Sequence, residues 1–270
     1  MPDTRSKIVG MVGLGEMGRP IAENIARAGF SVLAYDRSPQ AQADGVVRVD
    51  SLAGLAPAEV VIVIVPTDAD VTEVVAGAGG LFDHGNPGLT VVISASVDPA
   101  TCQRLAEQGR PRHIQVIDAA LTGGIRGAIK GEINLLVGGP QEVVDSIADV
   151  LDAFTAHCHV LGGVGAGQVG KSANNLIHWA EIVAINESLR LGEAFGIRPA
   201  ALRQALLAGP ANSRSLREIE LMHFTWYVKD IEIAQELAHR VGRDLPVAGL
   251  ARELMDQISV DSIRQLLDRP

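Results

Sequence analysis

Cysteine is nearly absent from this 270-residue chain. The two present, Cys102 and Cys158, stand far apart and in no metal-like spacing. That excludes a disulfide framework, and the pair reads as reduced thiols of a cytoplasmic protein. Aromatics are scarce as well, at 3% of residues. A core must therefore be assembled from Val, Ile, Leu and Ala, the mixture of a parallel sheet buried under helices. Positive charge is in deficit, with a formal net charge of −9. An acidic chain is a poor binder of polyanions, so nucleic acid is not an expected partner, although a local basic pocket for a small anion stays open. Long hydrophobic runs are missing: Val60 to Val65 is far too short to cross a bilayer. Met1 to Gly10 holds no apolar stretch ahead of a small-residue cleavage site, so no signal peptide is expected. Repeats, low-complexity tracts and charge blocks do not occur.

What is present is an apolar fraction of 47%, enough to bury the core of one large domain or two modest ones. Short apolar runs at Lys7–Val12, Ser31–Tyr35, Val60–Val65, Leu89–Ile93 and Ile114–Ile117 read as buried strands. Between them, Pro20–Ala28 and Asp98–Gly109 carry helical spacing. Strands alternating with helices predict a doubly wound α/β sheet, a Rossmann-type arrangement. Shorter strands at Glu132–Val137 and His159–Leu161 would close it. The character changes at the glycine-rich stretch Gly162 to Gly167, a plausible hinge. Beyond it the pattern is helical throughout: Gln168–Phe195, Pro199–Leu207, Ser213–Met222, Val228–Arg240, and Val247 to the end. The expected organisation is an α/β domain over 1–161 and an all-α domain over 162–270.

The segment Gly13-Leu14-Gly15-Glu16-Met17-Gly18 has the form G-x-G-x-x-G. Glycine triplets are common, and context is what lends this one meaning. It follows an apolar strand, opens a helix, and Asp36 ends the next strand at the expected distance. Gly13 would permit the tight turn, Gly15 the close approach of a pyrophosphate, and Gly18 close helix–strand packing. The helix N-terminus adds free N–H groups and partial positive charge. The pattern predicts a dinucleotide, NAD or NADP. Asp36 favours NAD by accepting hydrogen bonds from ribose hydroxyls and repelling a 2′-phosphate. Arg37 either pairs with such a phosphate or is a plain surface charge free to swing into solvent.

With these residues in view, the chain resembles the β-hydroxyacid dehydrogenase family, which includes 3-hydroxyisobutyrate dehydrogenases, tartronate semialdehyde reductases and, more distantly, 6-phosphogluconate dehydrogenases. The likeness is spread over nearly the whole chain. Gly13 to Pro20 looks like the family's cofactor loop, and Val65-Pro66-Thr67 like its second cofactor-contacting turn. Asp118-Ala119-Ala120-Leu121-Thr122-Gly123-Gly124 is similar to its substrate segment, and GEINLLVGG over Gly131–Gly139 to the strand that follows. Gly167 to Asn175 resembles its catalytic G-x-x-x-K-x-x-N-N stretch, and Lys229-Asp230 its late K-D pair. The resemblance implies hydride transfer between a 3-hydroxy acid and the nicotinamide. Lys171 would be the general acid/base, with Asn175 beside it as a catalytic residue that holds the substrate. Thr122, Gly123, Gly124, Asn174 and His178 are expected at the substrate, and Ser96 and Lys229 at the cofactor.

The residues themselves agree with that chemistry. Lys171, Asn175 and His178 stand at i, i+4 and i+7 of a predicted helix and share one face. Oxidising an alcohol by hydride loss needs a base for the hydroxyl proton, and a partly desolvated, neutral Lys can take it. Thr122-Gly123-Gly124 would offer a hydroxyl and two backbone N–H groups to a carboxylate. The plain readings are a helix-surface lysine for Lys171 and Lys229, a tight turn for 122–124, and a half-buried histidine against Trp179 for His178. Asn174 either meets substrate or bonds locally.

Some residues depart from the family's pattern. Thr122 replaces the customary Ser, and Ala95 sits where a hydroxyl often meets the nicotinamide, with Ser96 as a substitute. The segment from Ser213 to Lys229 is compressed, which would open the roof of the pocket to a bulkier substrate. Asp68 and Asp70 read as a helix N-cap and a first-turn acid. The His157-Cys158-His159 triplet lacks further ligands and reads as structural, so no metal is expected. A long apolar first helix and the family likeness both suggest a homodimer or a higher homo-oligomer. Two alternatives share the architecture: an imine reductase, and a non-catalytic nucleotide-binding protein. Retention of Lys171 weighs against both.

Overall fold

The computed structural model describes residues 7–269, so the reading of Met1–Gly10 and the last position of the C-terminal helix fall partly outside the described residues. The chain forms two compact units, the first ending at Lys171 and the second beginning at Ser172.

The first unit is built on an eight-stranded sheet. Its strands are β1 (Ile8–Val12), β2 (Ser31–Tyr35), β3 (Val47–Arg48), β4 (Val60–Val63), β5 (Thr90–Ile93), β6 (Gln115–Thr122), β7 (Ile133–Gly138) and β8 (Thr155–Gly162). The spatial order is β3-β2-β1-β4-β5-β6-β7-β8. All pairings from β3 to β6 are parallel, β7 runs antiparallel to β6, and β8 is parallel to β7. Every residue of β4 and β5 is buried. This is why their sequences, VVIV and TVVI, are continuous apolar runs rather than alternations. The pleat sends alternate residues to two cores. Val60 and Ile62 join Met11, Ile21 and Ile117 on one face; Val61 and Val63 join Val71, Leu105 and Val116 on the other. Strand order reverses between β1 and β4, which makes the C-terminal ends of β2, β1 and β4 the switch point where doubly wound sheets bind ligands.

Helix Gly18–Arg27 follows β1, helix Asp68–Ala76 follows β4 and helix Pro99–Gly109 follows β5. Thr67, rather than Asp68, is the N-cap of the second of these: its side chain accepts from the Asp70 amide at 3.1 Å, and Asp68 and Asp70 both stand in the first turn. Thr67 is the residue with extended backbone, which an N-cap requires. Helix Ala166–Ala194 spans 29 residues and carries the chain from the first unit into the second.

The second unit contains helices and connecting turns and no strand among its described residues. Besides the remainder of Ala166–Ala194 it contains Pro199–Leu207, Arg214–Glu218, Tyr227–Arg240, Pro246–Met255 and Val260–Leu267. The last two were read as one helix from Val247 onward. Ser259 separates them, acting as N-cap of Val260–Leu267 in a reciprocal capping box with Ser262. Trp179, Ile182, Ile219, Ile231, Met255 and Ile263 form this unit's core.

Candidate active site

The loops singled out by motif lie at the C-terminal ends of the parallel strands. Gly13 to Gly18 leaves β1, Asp36 and Arg37 leave β2, Val65-Pro66-Thr67 leaves β4, Ser96 leaves β5, and Thr122-Gly123-Gly124 ends β6. Gly13 has φ +96°, and a Cβ there would stand 2.1 Å from the Ile64 carbonyl oxygen. A Cβ on Gly18 would stand 2.0 Å from the Gly13 oxygen. These two positions are closed by the protein's own backbone. Gly15 is different: it is exposed, and nothing lies within 4 Å of where its Cβ would be. The loop thus packs tightly where it meets sheet and helix and leaves bare backbone where a pyrophosphate would approach. Glu16 is exposed, whereas Leu14 is buried and Met17 packs on the core.

Asp36 holds this loop. One carboxylate oxygen accepts from the Leu14 amide at 2.7 Å and the other from the Ser38 amide at 2.7 Å. Arg37 does not swing free: its guanidinium pairs with Asp70 at 2.9 Å, an acceptor already in place. Asp70 is fixed in turn by the Thr67 hydroxyl, which donates to it at 2.7 Å. That hydrogen bond and the Arg37 charge hold the Asp70 carboxyl below its usual range.

On the other side of the switch point, two residues, Asp118 and Gln168, tie β6 and the segment after β5 to the first turn of the long helix. Asp118 on β6 is completely buried and accepts from the amides of Gly165 at 2.5 Å and Gln168 at 2.9 Å. Burial pushes its carboxyl above the ordinary range, against the pull of those backbone N–H groups. The buried side chain of Gln168 donates to the Ala95 carbonyl at 2.9 Å and accepts from the Val97 amide at 3.2 Å. This clamp holds the backbone on both sides of Ser96, whose own side chain is exposed. The role of Gln168 has no counterpart in the sequence motifs. A Gln at the start of a helix gives no local sign that its partners lie some seventy positions upstream.

Lys171 lies one turn beyond Gln168, and its ammonium donates to the Leu121 carbonyl at 2.9 Å. Leu121 directly precedes the Thr122-Gly123-Gly124 turn. The Thr122 hydroxyl donates to the Asn134 carbonyl at 2.9 Å and accepts from the Asn134 side-chain amide at 2.9 Å, so its proton is engaged in the β6–β7 pairing. Gly123 and Gly124 have φ of +113° and +65°, and a Cβ on Gly124 would meet nothing within 4 Å. The open face of this turn is therefore backbone. In the second unit Asn175 is buried, and its side-chain oxygen accepts from the exposed Asn174 at 3.1 Å. His178 is half-buried, 4.6 Å from the Trp179 ring, with Nδ1 3.0 Å from the Ser215 hydroxyl. Lys229 is exposed on helix Tyr227–Arg240, and its neighbour Asp230 accepts from the Trp179 indole at 3.0 Å. Among the described residues no three His, Cys, Asp or Glu side chains cluster as a metal site would require. No helix there is long and apolar enough to cross a membrane.

A glycine loop with one bare position, an acidic residue at the end of the second strand, and a switch point between them define a dinucleotide-binding fold of the oxidoreductase type. Residues 8–163 match the family model described as the NAD binding domain of 6-phosphogluconate dehydrogenase. Residues 165–265 match the model described as the NAD-binding domain of NADP-dependent 3-hydroxyisobutyrate dehydrogenase. The chain is 30% identical to 2-hydroxy-3-oxopropionate reductase of Escherichia coli, over 96% of its own length and 93% of the relative's. It is also 30% identical to L-threonate dehydrogenase of Cupriavidus necator, over 92% and 89%. A 3-hydroxyisobutyrate dehydrogenase from Mycobacterium tuberculosis, solved with L-serine, superposes with a TM-score of 0.85 over 98% of this chain and all of that one; at 21% identity this shows the shared fold. The chain belongs to the β-hydroxyacid dehydrogenase family of NAD(P)-dependent oxidoreductases.

Proposed function

We propose that this protein catalyses reversible hydride transfer between a small 3-hydroxy acid, of the 3-hydroxyisobutyrate type, and a nicotinamide dinucleotide, with Lys171 as general acid/base. One observation carries the assignment. The Lys171 ammonium is tied to the Leu121 carbonyl, immediately before the Thr122-Gly123-Gly124 turn that would hold the substrate carboxylate. The bound dinucleotide supplies a carbon that accepts or returns hydride; the protein must manage the proton and the geometry. As hydride leaves the alcohol carbon, Lys171 in its neutral form takes the hydroxyl proton, and in the reverse direction its ammonium returns it. Asn175, one turn along the same helix, orients the substrate through its amide, with Asn174 and His178 beside it as further substrate contacts. The backbone of Gly123 and Gly124 receives the carboxylate as a nest of N–H groups. The loop of Gly13 to Gly18, with Asp36, Arg37, Val65 to Thr67, Ser96 and Lys229, serves the cofactor. We take NAD as the preferred one, because Asp36 repels a 2′-phosphate. Residues 1–161 then act as the cofactor domain, and 162–270 as the substrate and dimerisation domain of a cytoplasmic homo-oligomer.

The test is NAD(P)H formation with a panel of 3-hydroxy acids graded in size, for wild type and Lys171→Ala. Loss of a general acid/base lowers kcat by about 10² to 10⁴. NADH binding, followed by its fluorescence, should survive the substitution. Equal turnover by both proteins would remove Lys171 from the chemistry. Turnover of cyclic imines in place of hydroxy acids would change the reaction class.

A further inference from the structure

The ends of β2 and β4 flank the end of β1 in the sheet, so the Arg37–Asp70 pair lies across the switch point. Neighbouring strands are about 4.8 Å apart, which puts β2 and β4 about 10 Å from each other, a gap that an extended arginine spans. Arg37 leaves the end of β2 directly after Asp36; Asp70 sits in the first turn of the helix after β4. Their bond at 2.9 Å thus joins the segments that follow the two strands on either side of β1, the strand the glycine loop leaves. The two partners are held unequally. The Arg37 side chain is 68% exposed, while that of Asp70 is 17% exposed and anchored by Thr67 at both its amide and its carboxylate. Asp70 is the fixed post and Arg37 the movable arm.

We propose that Asp70 is a specificity-determining residue that selects NAD over NADP by occupying Arg37. The inference rests on the cofactor reading of this site. A 2′-phosphate on the adenosine ribose would need an arginine as its partner. Two stand beside Asp36: Arg37, and Arg48, whose guanidinium is already engaged by the carbonyls of Asp36, Ser38 and Ala41. With Asp70 ionised, the group Asp36–Arg37–Asp70 carries one net negative charge. A phosphate must then compete with a carboxylate already in place and approach a second one. A ribose hydroxyl meets neither obstacle, since Asp36 accepts from it and Arg37 stays bridged. No spacing along the chain links Asp70 to Asp36 and Arg37. Asp70 enters only through the fold, which brings a residue 33 positions further on to the segment after the strand on the other side of β1.

The experiment measures Kd for NADH and for NADPH, by their fluorescence, on wild type, Asp70→Asn, Arg37→Ala and the double variant. Asn keeps the size of the side chain and its ability to bond Thr67, and a thermal melt of each variant verifies the fold. The expected result is a shift of the NADPH-to-NADH affinity ratio towards NADPH in Asp70→Asn of up to about fivefold, the upper end of what an exposed ion pair contributes. The shift should vanish in the double variant. An unchanged ratio in Asp70→Asn would overturn the proposal, and so would a shift that persists without Arg37. Wild type that binds neither nucleotide would overturn the cofactor reading beneath it, an outcome distinct from both.

Discussion

Gly13, Gly15 and Gly18 belong to one loop, yet the protein asks different things of them. A methyl group on Gly18 collides with the Gly13 carbonyl, while one on Gly15 meets no protein atom. Gly18→Ala should therefore destabilise the fold by about 1–3 kcal/mol or more, as forced overpacking does. Gly15→Ala should leave stability within about 0.5 kcal/mol, as surface substitutions do. Its effect should appear in cofactor affinity instead, because the added methyl stands where the pyrophosphate would approach. Thermal melts and NADH titrations of the two variants separate the roles. A Gly15→Ala protein with wild-type affinity would mean that the loop does not carry the nucleotide. The steric demand at Gly13 and Gly18 was readable from the motif, because it follows spacing along the chain. The partners of Arg37 and Thr122 were not. Asp70 and Asn134 reach them through strand order and register.

At the scale of elements, Asp118 ties β6 to the first turn of helix Ala166–Ala194, within the first unit. An ionised carboxylate is an acceptor at both oxygens, and Asp118 meets a backbone donor at each, from Gly165 and Gln168. Asp118→Asn turns an amide group towards one of those donors. It should cost about 1–3 kcal/mol at neutral pH, the penalty of an unsatisfied buried group. The carboxyl is raised above its unfolded value, so in the window between the two the folded state holds a proton that the unfolded state has lost. Stability from this group therefore falls as pH rises through that window and is flat above it. The melting-temperature gap between wild type and Asp118→Asn should widen as pH is lowered from neutral towards the ordinary carboxylate range. A gap that narrows would show that Asp118 is held ionised by its N–H partners. Most elements were legible from period and caps: β2 and helix Pro199–Leu207 match their readings end to end. β6 was read short because Asp118-Ala119-Ala120 interrupts the apolar run. It extends to Thr122 because β7 pairs with it out to Asn134. The short helix Gly124–Lys130 gave no periodic signal, being seven residues long with glycine at its N-terminus and glycine just past its end.

At the scale of the whole molecule, the long helix carries an apolar strip that belongs to none of the three cores. Along Ala166–Ala194 and just past it, Val169, Ala173, Ile177, Ala184, Ser188, Leu191 and Phe195 are all exposed and recur every three or four residues, or seven. That spacing keeps them on one face, about 39 Å long at 1.5 Å per residue. Ile177, Leu191 and Phe195 are 64%, 62% and 80% exposed, values out of place for side chains of this size on a face that meets only water. The net negative charge of the chain would keep copies apart, whereas the residues of this strip carry no charge, as the centre of an isologous two-fold contact would. The proposed homo-oligomer is accordingly expected to form through this helix. Ile177→Glu with Leu191→Glu sets like charges against each other across a two-fold contact, a cost of several kcal/mol that should dissociate it. Light scattering after size exclusion should then report a monomer for the variant and an oligomer for wild type. NADH should still bind, because the nucleotide loop lies wholly in the first unit. An oligomer that persists in the variant would move the contact to another surface. A variant that loses NADH binding together with its oligomeric state would make assembly a condition of the cofactor site rather than an addition to it.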